Sequence, residues 1–298
     1  VRVFLTGANG VMGLATVDAL VEAGHDVIGL VRSPGAAEIV ERHGGQAWYG
    51  DVFDPTALRA GMDGCDVVVN FATRIPIGAT AYRPGSLTAV NRLRREGAAT
   101  VAEMARELRV ERFVQQSLSF IYQGRGDEWI DEFSPVDVTW VTEALVIAED
   151  HARSIEETGG VSVRLRYGLI VGDDRNTRYV LSRARRGKPF ALGDPDGWMH
   201  VIHPDDIGTS VVAALGAPAG AYNVGAEPLR RRTYADLIAR AAGREHGDFL
   251  APWIVELGGD KMEMLTRSHR VSSALFTERT GWRPRHRELT EDWFPARD

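Results

Sequence analysis

The segment Thr6-Gly7-Ala8-Asn9-Gly10-Val11-Met12-Gly13 constrains the fold of this chain more than any other. It follows an apolar run that reads as a buried strand, and it opens an amphipathic stretch that reads as a helix. Glycines at positions 7, 10 and 13 suit the joint between the two. Gly7 permits the tight turn, Gly10 lets the backbone approach a phosphate, and Gly13 lets the helix lie close on the strand. The start of the helix adds free N–H groups and the positive end of its dipole. Residues 3–13 are therefore expected to hold the pyrophosphate of a dinucleotide.

The rest of the chain extends that pattern. Strands are expected at 1–6, 26–31, 46–49, 66–71, 112–117 and 161–167, with helices at 11–23, 35–43, 55–61, 86–109 and 139–158. Short β-branched runs alternating with helices indicate βαβ units, a parallel sheet and helices on both faces. After Gly168 the alternation breaks down into helices at 176–186, 204–215 and 233–242 between turn-rich pieces such as 193–197 and 242–248. The fold class is α/β: a Rossmann, doubly wound parallel sheet with a small C-terminal substrate-binding lobe. Residues 1–167 form the nucleotide domain. Residues 168–298 form mainly the lobe, interleaved with the first domain at about 200–225.

The formal net charge of −6 argues against nucleic acid or an anionic membrane as partner. No apolar run approaches the roughly 20 residues of a membrane span. The first residues read as a strand, so no signal peptide is expected. The single cysteine, Cys65, opens an apolar run and reads as a buried small hydrophobe. With no second cysteine there is no intrachain disulfide and no cysteine-based metal site, and a reducing cytoplasm is the expected compartment. Lys188 and Lys261 are the only lysines, and this arginine bias fits a GC-rich genome of the actinobacterial kind.

Several further segments carry a family resemblance: Gly50-Asp51-Val52, Asn70-Phe71-Ala72-Thr73, His203-Pro204-Asp205-Asp206-Ile207, Tyr222-Asn223-Val224-Gly225 and Gly281-Trp282-Arg283-Pro284. With the glycine turn, their order and spacing resemble the extended and atypical branches of the short-chain dehydrogenase/reductase (SDR) superfamily over nearly the whole chain. The resemblance implies that Gly7, Asn9, Gly10, Val11 and Met12 surround the pyrophosphate and that Asp51 and Val52 lie at the adenine. It also puts Phe71, Ala72 and Thr73 along the cofactor, with Ser117 and the backbone of Tyr167 and Leu169 at its nicotinamide end. The second strand ends in Arg32-Ser33, and no Asp or Glu occurs from 27 to 37. A guanidinium and a hydroxyl there suit a 2′-phosphate, where a carboxylate would repel it, so the expected cofactor is NADPH/NADP+.

The resemblance also exposes a gap. Family members carry Tyr-x-x-x-Lys on one helix, where four-residue spacing puts both groups on one face. No Tyr and no Lys occurs from 123 to 166, and the Tyr and Lys places fall on Val141 and Leu145. The catalytic Ser place falls on Leu118, flanked by Ser117 and Ser119. No catalytic residue is assigned. Two classes of protein remain open. One is a non-catalytic NADP(H)-binding sensor or regulatory protein. The other is a ketoreductase whose substrate supplies its own proton from a hydroxyl beside the ketone, as an aromatic polyketide ketone of angucyclinone type can; its assembly is monomer or homodimer. Arg74, Leu118, Ser119 and Trp198 are candidate pocket residues, with loops 74–86 and 193–200 as lids. Asn91 is a candidate support for local geometry. His200 and His203 have no Ser–His–Asp arrangement, His203 reads as structural, Asp205 and Asp206 read as helix caps, and no metal pattern is seen.

Overall fold

The protein, seen in a computed structural model, is described over residues 1–83 and 85–296. Among the described residues seven strands build the central sheet: β1 (Arg2–Thr6), β2 (Asp26–Val31), β3 (Gln46–Tyr49), β4 (Val67–Asn70), β5 (Arg112–Leu118), β6 (Val161–Tyr167) and β7 (Gly220–Val224). Their order is β7-β6-β5-β4-β1-β2-β3, all parallel. Alternating side chains face opposite ways and helices cover both faces, which is why the inner strands β1, β2 and β4 are mostly apolar. Val3, Leu5, Val67 and Val69 meet α1 (Val11–Glu22) and α2 (Pro34–Arg42) on one face. Phe4, Val68 and Phe113 meet α3 (Pro55–Met62) and the helical stretch 88–107, here α4, on the other.

Local chemistry sets the helix starts. Ser33 and Asp54 accept N–H bonds as caps of α2 and α3, and proline follows each. Helix α4 runs unbroken in direction but is wound as a π-helix over Leu93–Gly97. The helix expected over 139–158 is regular only as α5 (Glu143–Arg153). Before it, Thr139 and Thr142 close a turn through the Thr142 hydroxyl, and after it Ser154–Thr158 tightens into a 3₁₀ turn.

The second half contributes β7 beside β6, and α7 (Pro204–Ala214), after α6 (Arg175–Arg185), packs on α1. The lobe has its own core of Val171, Leu181, Tyr234, Ile238 and Trp293, around α6 and α8 (Arg231–Ala241). Three helices lie in stretches where the periodicity is too short to show them: α9 (Pro252–Leu257), α10 (Asp260–Thr266) and α11 (Ala274–Thr280). At α7 the expected caps are corrected. His203 is the cap, its Nδ1 accepting from Asp205 N–H at 3.3 Å. Asp206 is fully buried and accepts the N–H groups of Arg285 and His286 at 2.7 and 3.0 Å, tying the C-terminal segment to α7. His203, Asp205 and His286 also bring ligand atoms within 4.8 Å of one another, a grouping invisible in sequence spacing; the two imidazoles stack at 3.8 Å.

Helices α1 and α7 touch at the backbone: a Cβ on Gly208 would collide with the Ala15 carbonyl oxygen. Gly208→Ala is expected to destabilise the protein by about 1–3 kcal/mol through overpacking, read as a lower urea midpoint at unchanged slope.

Candidate active site

The sheet order reverses between β1 and β4, which opens a crevice at the carboxyl ends of those strands. Gly7 forms its floor with φ +68°, and a Cβ there would lie 2.5 Å from the Phe71 carbonyl oxygen. A Cβ on Gly13 would strike the Gly7 carbonyl. Asn9, Gly10 and Val11 are exposed at the lip, while Met12 turns into the core. Unlike α2 and α3, helix α1 has a cap, Gly10, with no side chain, and no acid stands in its first turn. Its leading N–H groups thus face the crevice without a competing carboxylate, which suits a pyrophosphate.

Across the crevice, the Thr6 hydroxyl donates to Asn70 Oδ1 at 2.6 Å and accepts the N–H groups of Phe71 and Ala72, both at 3.1 Å. This fixes the turn after β4. Phe71 packs edge-on to Tyr167, and the Thr73 hydroxyl has no partner. At the end of β2, Arg32 is largely exposed and lies 3.7 Å from Asp51, a loose surface pair that leaves the guanidinium free to turn to a phosphate. The Ser33 hydroxyl accepts from Ala36 N–H at 3.3 Å and keeps its proton to donate. Val52 is buried in the core beneath Asp51. The Tyr167 ring is buried and its hydroxyl bonds Ser210, so only its backbone borders the crevice. The Leu169 N–H is taken by the His200 carbonyl at 2.8 Å, which removes it as a donor to a cofactor amide.

The places of the missing acid groups are closed by packing. Val141 and Leu145 are buried, and Leu118 is half-buried against the core. Val141 falls in the turn before α5 rather than on it. The Ser117 hydroxyl is buried without a partner, whereas the Ser119 hydroxyl is committed to His200 Nδ1 at 3.0 Å and so is turned from the substrate role considered for it. Helix α5 is held instead by a charge pair that sequence reading missed. Arg166 clasps Glu149 through Nε and Nη2 at 2.9 and 2.7 Å and donates to the Tyr122 hydroxyl at 2.8 Å. Tyr122 donates onward to Asn223 at 2.9 Å.

A cavity of about 610 Å³ opens between the loop after β4, the segment before α5, and α9–α10. Trp140, Leu257, Asp260 and Lys261 line it. Lys261 donates to the Ser86 hydroxyl at 3.0 Å and the Arg83 carbonyl at 3.2 Å, strapping α10 to the 74–86 loop, of which Pro84 lies outside the described residues. Arg74 is exposed on that loop. The expected stacking role of Trp198 is corrected: Arg230 and Arg270 hold its ring at 4.1 and 4.5 Å, and its Nε1 donates to Asp127. That ring belongs to a cation–π stack.

Comparison with known proteins agrees with this geometry. Residues 7–218 match the family model described as NAD(P)H-binding. The chain belongs to this NAD(P)H-binding family. It is 28% identical over 96% of both chains to the "3-diazoavenalumate denitrifying reductase" of a Streptomyces species. Over 45% of this chain and 39% of the relative, it is 34% identical to a Stigmatella aurantiaca protein named 4-hydroxy-2-methyl-3-oxo-4-farnesyl-3,4-dihydroquinoline-1-oxide ketoreductase. The fold matches human epimerase family protein SDR39U1 with NADPH, at TM-score 0.81 and 23% identity over 98% of both chains. It also matches Thermus thermophilus UDP-glucose 4-epimerase with NAD, at TM-score 0.77 and 20% identity over 98% and 96%. The fold is that of these epimerase-family structures solved with bound NADPH or NAD. No helix among the described residues is long and apolar enough to cross a membrane.

Two predictions follow from the charges of this family member. Arg32→Ala is expected to weaken NADPH binding about 10- to 100-fold while leaving NADH binding nearly unchanged, measured by calorimetric titration. Burial holds His200 neutral with its pKa pushed down to about 3, with His269 beside it, and burial holds His269 down at about 4. The unfolded chain binds these protons near pH 6.5 and the native state does not. Stability is therefore complete above about pH 6.5 and falls as the pH drops toward 4, by up to about 1.4 kcal/mol per pH unit for each histidine. Urea unfolding at pH 7 and pH 5 measures the loss, and His200→Asn should remove about half of it.

Proposed function

We propose that this protein is an NADPH-dependent ketoreductase acting on an aromatic polyketide ketone, of angucyclinone type, in antibiotic biosynthesis. One observation carries the reading: the nucleotide cradle is intact while the acid places are filled by the apolar Leu118, Val141 and Leu145. Such a site can orient a hydride donor against an acceptor but supplies no proton of the usual kind. Orientation alone contributes several kcal/mol, whereas general acid catalysis is worth roughly 10²–10⁴-fold. A substrate carrying a hydroxyl beside its ketone makes up that deficit within itself. The missing Ser and Tyr, with the chain length, also resemble the angucyclinone ketoreductase of simocyclinone biosynthesis.

When bound, NADPH supplies the hydride. The chain's residues do the rest: the α1 N-terminus takes the pyrophosphate, Arg32 and Ser33 the 2′-phosphate, and Thr6 and Asn70 hold the wall after β4. The cavity beside Trp140 offers an aromatic entrance, with Lys261 closing the loop over it.

A second reading rests on the full-length relative named a denitrifying reductase of a diazo compound. An aryl diazonium accepts hydride as dinitrogen leaves with its bonding pair, and this also needs no protein acid. Consumption of NADPH with a 1-hydroxy aryl ketone, and its loss when that hydroxyl is methylated, is the expected outcome. A rate unchanged by methylation would sink the substrate-proton mechanism. Turnover confined to diazo-arenes would favour the second reading, and NADPH binding without turnover on either class would leave a sensor.

A further inference from the structure

Arg94 is a buried arginine with no hydrogen-bond or ion-pair partner among the described residues. It is only 7% exposed, and it lies on the inward stripe of α4 with Val90, Ala98 and Val101, inside the π-wound turn. It forms no hydrogen bond or ion pair with any described residue, and its Nε is sealed from solvent without a partner. The three other buried arginines among the described residues are all held: Arg164 by Glu156, Arg231 by backbone carbonyls, and Arg267 by Asp137 and Glu263. An unpaired buried cation is costly and is not retained by packing alone. Burial lowers its pKa to about 10, so it stays charged at neutral pH.

Other polar groups on α4 and beyond the ends of β4 and β5 are unsatisfied as well. The Asn91 Oδ1, one turn earlier on α4, is buried without a partner, as are the hydroxyls of Ser117 and Thr73. Ser117, the last residue but one of β5, is on the face that Phe113 shares, which α4 covers, and Thr73 lies beyond the end of β4. Helix α4 packs against α5, which carries the vacated Lys place at Leu145 and follows the vacated Tyr place at Val141. A cation and an amide oxygen on α4, and two hydroxyls at the carboxyl ends of β4 and β5, are thus left without partners among the described residues.

We propose that Arg94 binds the phenolate oxygen left on the substrate after hydride transfer and internal proton transfer, supplying from α4 the positive charge that α5 has lost. This rests on the reductase reading and deepens it: the substrate is an aromatic ketone with an adjacent acidic hydroxyl. The carbonyl carbon accepts the hydride with its electron pair, and the π pair moves to oxygen. The neighbouring hydroxyl passes its proton to that oxygen. The resulting phenolate is held by the guanidinium until water reprotonates it. Preorganised charge at a developing oxyanion is worth about 10²–10³-fold in rate.

The test reads binding rather than turnover. 1-Hydroxyanthraquinone, whose phenolate has its own absorption band, is titrated with pH in the complex of the protein with NADP+. In the natural protein the phenolate band should appear about one to three pH units lower than for the free dye. Arg94→Met and Arg94→Gln should abolish that displacement, keep NADP+ affinity, and leave the ligand-free protein with an equal or higher Tm, because an unpaired buried charge is gone. Arg94→Lys should restore part of the displacement, since it keeps the charge without the planar fork. A displacement that persists in Arg94→Met overturns the assignment. So does a dye that fails to bind or titrates as it does in solution, an Arg94→Met protein that loses NADP+ affinity, or one whose Tm falls. Failure of the reductase reading shows differently: an intact Arg94-dependent displacement with no NADPH oxidation by any ketone.

Discussion

The crevice depends on one hydroxyl. Thr6, the last residue of β1, gives its proton to Asn70 and takes the N–H groups of Phe71 and Ala72. Asn70 in turn donates to Gln115 on β5 at 2.9 Å. This polar chain crosses three parallel strands at the point where the sheet order reverses. Its groups are buried, so each must be satisfied from within the protein. The bonds hold the end of β4 close against the glycine turn, where Gly7 leaves no room for a side chain. The nucleotide cradle and the wall of the substrate side are thus parts of one hydrogen-bonded unit.

Away from that unit, structure and chemistry have separated. Helix α5 keeps its position through Ala144, Leu145 and Ala148 in the core and through the Glu149–Arg166 clasp. Neither feature requires the Tyr and Lys that the family resemblance places on this helix. A buried carboxylate with a bidentate guanidinium satisfies its own desolvation and fixes the helix register. Losing the acid groups therefore costs the fold nothing. Arg94 shows the opposite balance, a group that burdens the folded state and has meaning only toward a ligand.

The lobe follows a third logic. Its core is small, and polar straps complete it: Lys261 on the carbonyls of the 74–86 loop, and the Arg230–Trp198–Arg270 stack at its edge. Such contacts join elements far apart in sequence. Periodicity over a window of a dozen residues carries no trace of them, and helices of six or seven residues such as α9 and α10 are too short to leave a pattern. Trp198 illustrates the limit. Its composition and neighbours suggest a stacking platform, but two arginines brought in by β-bridged segments occupy it. Arg94 left a faint signal, a charge inside an otherwise apolar or small-residue helical stripe.

By itself, the sequence determined the parallel sheet, the order of its first six strands along the chain, the glycine turn, the NAD(P)H class of ligand and the absence of Tyr and Lys from α5. These follow from local rules: two- and 3.6-residue periodicity, positive φ at a turn, and the presence or absence of a side chain. Only the tertiary structure decided that Ser119 is spent on His200, that Leu169 is spent on the His200 carbonyl, that Glu149 anchors α5, and that Arg94 stands unpaired. Each of these depends on which distant group arrives within about 3 Å, and that distance is set by packing across the sheet rather than by neighbours in the chain.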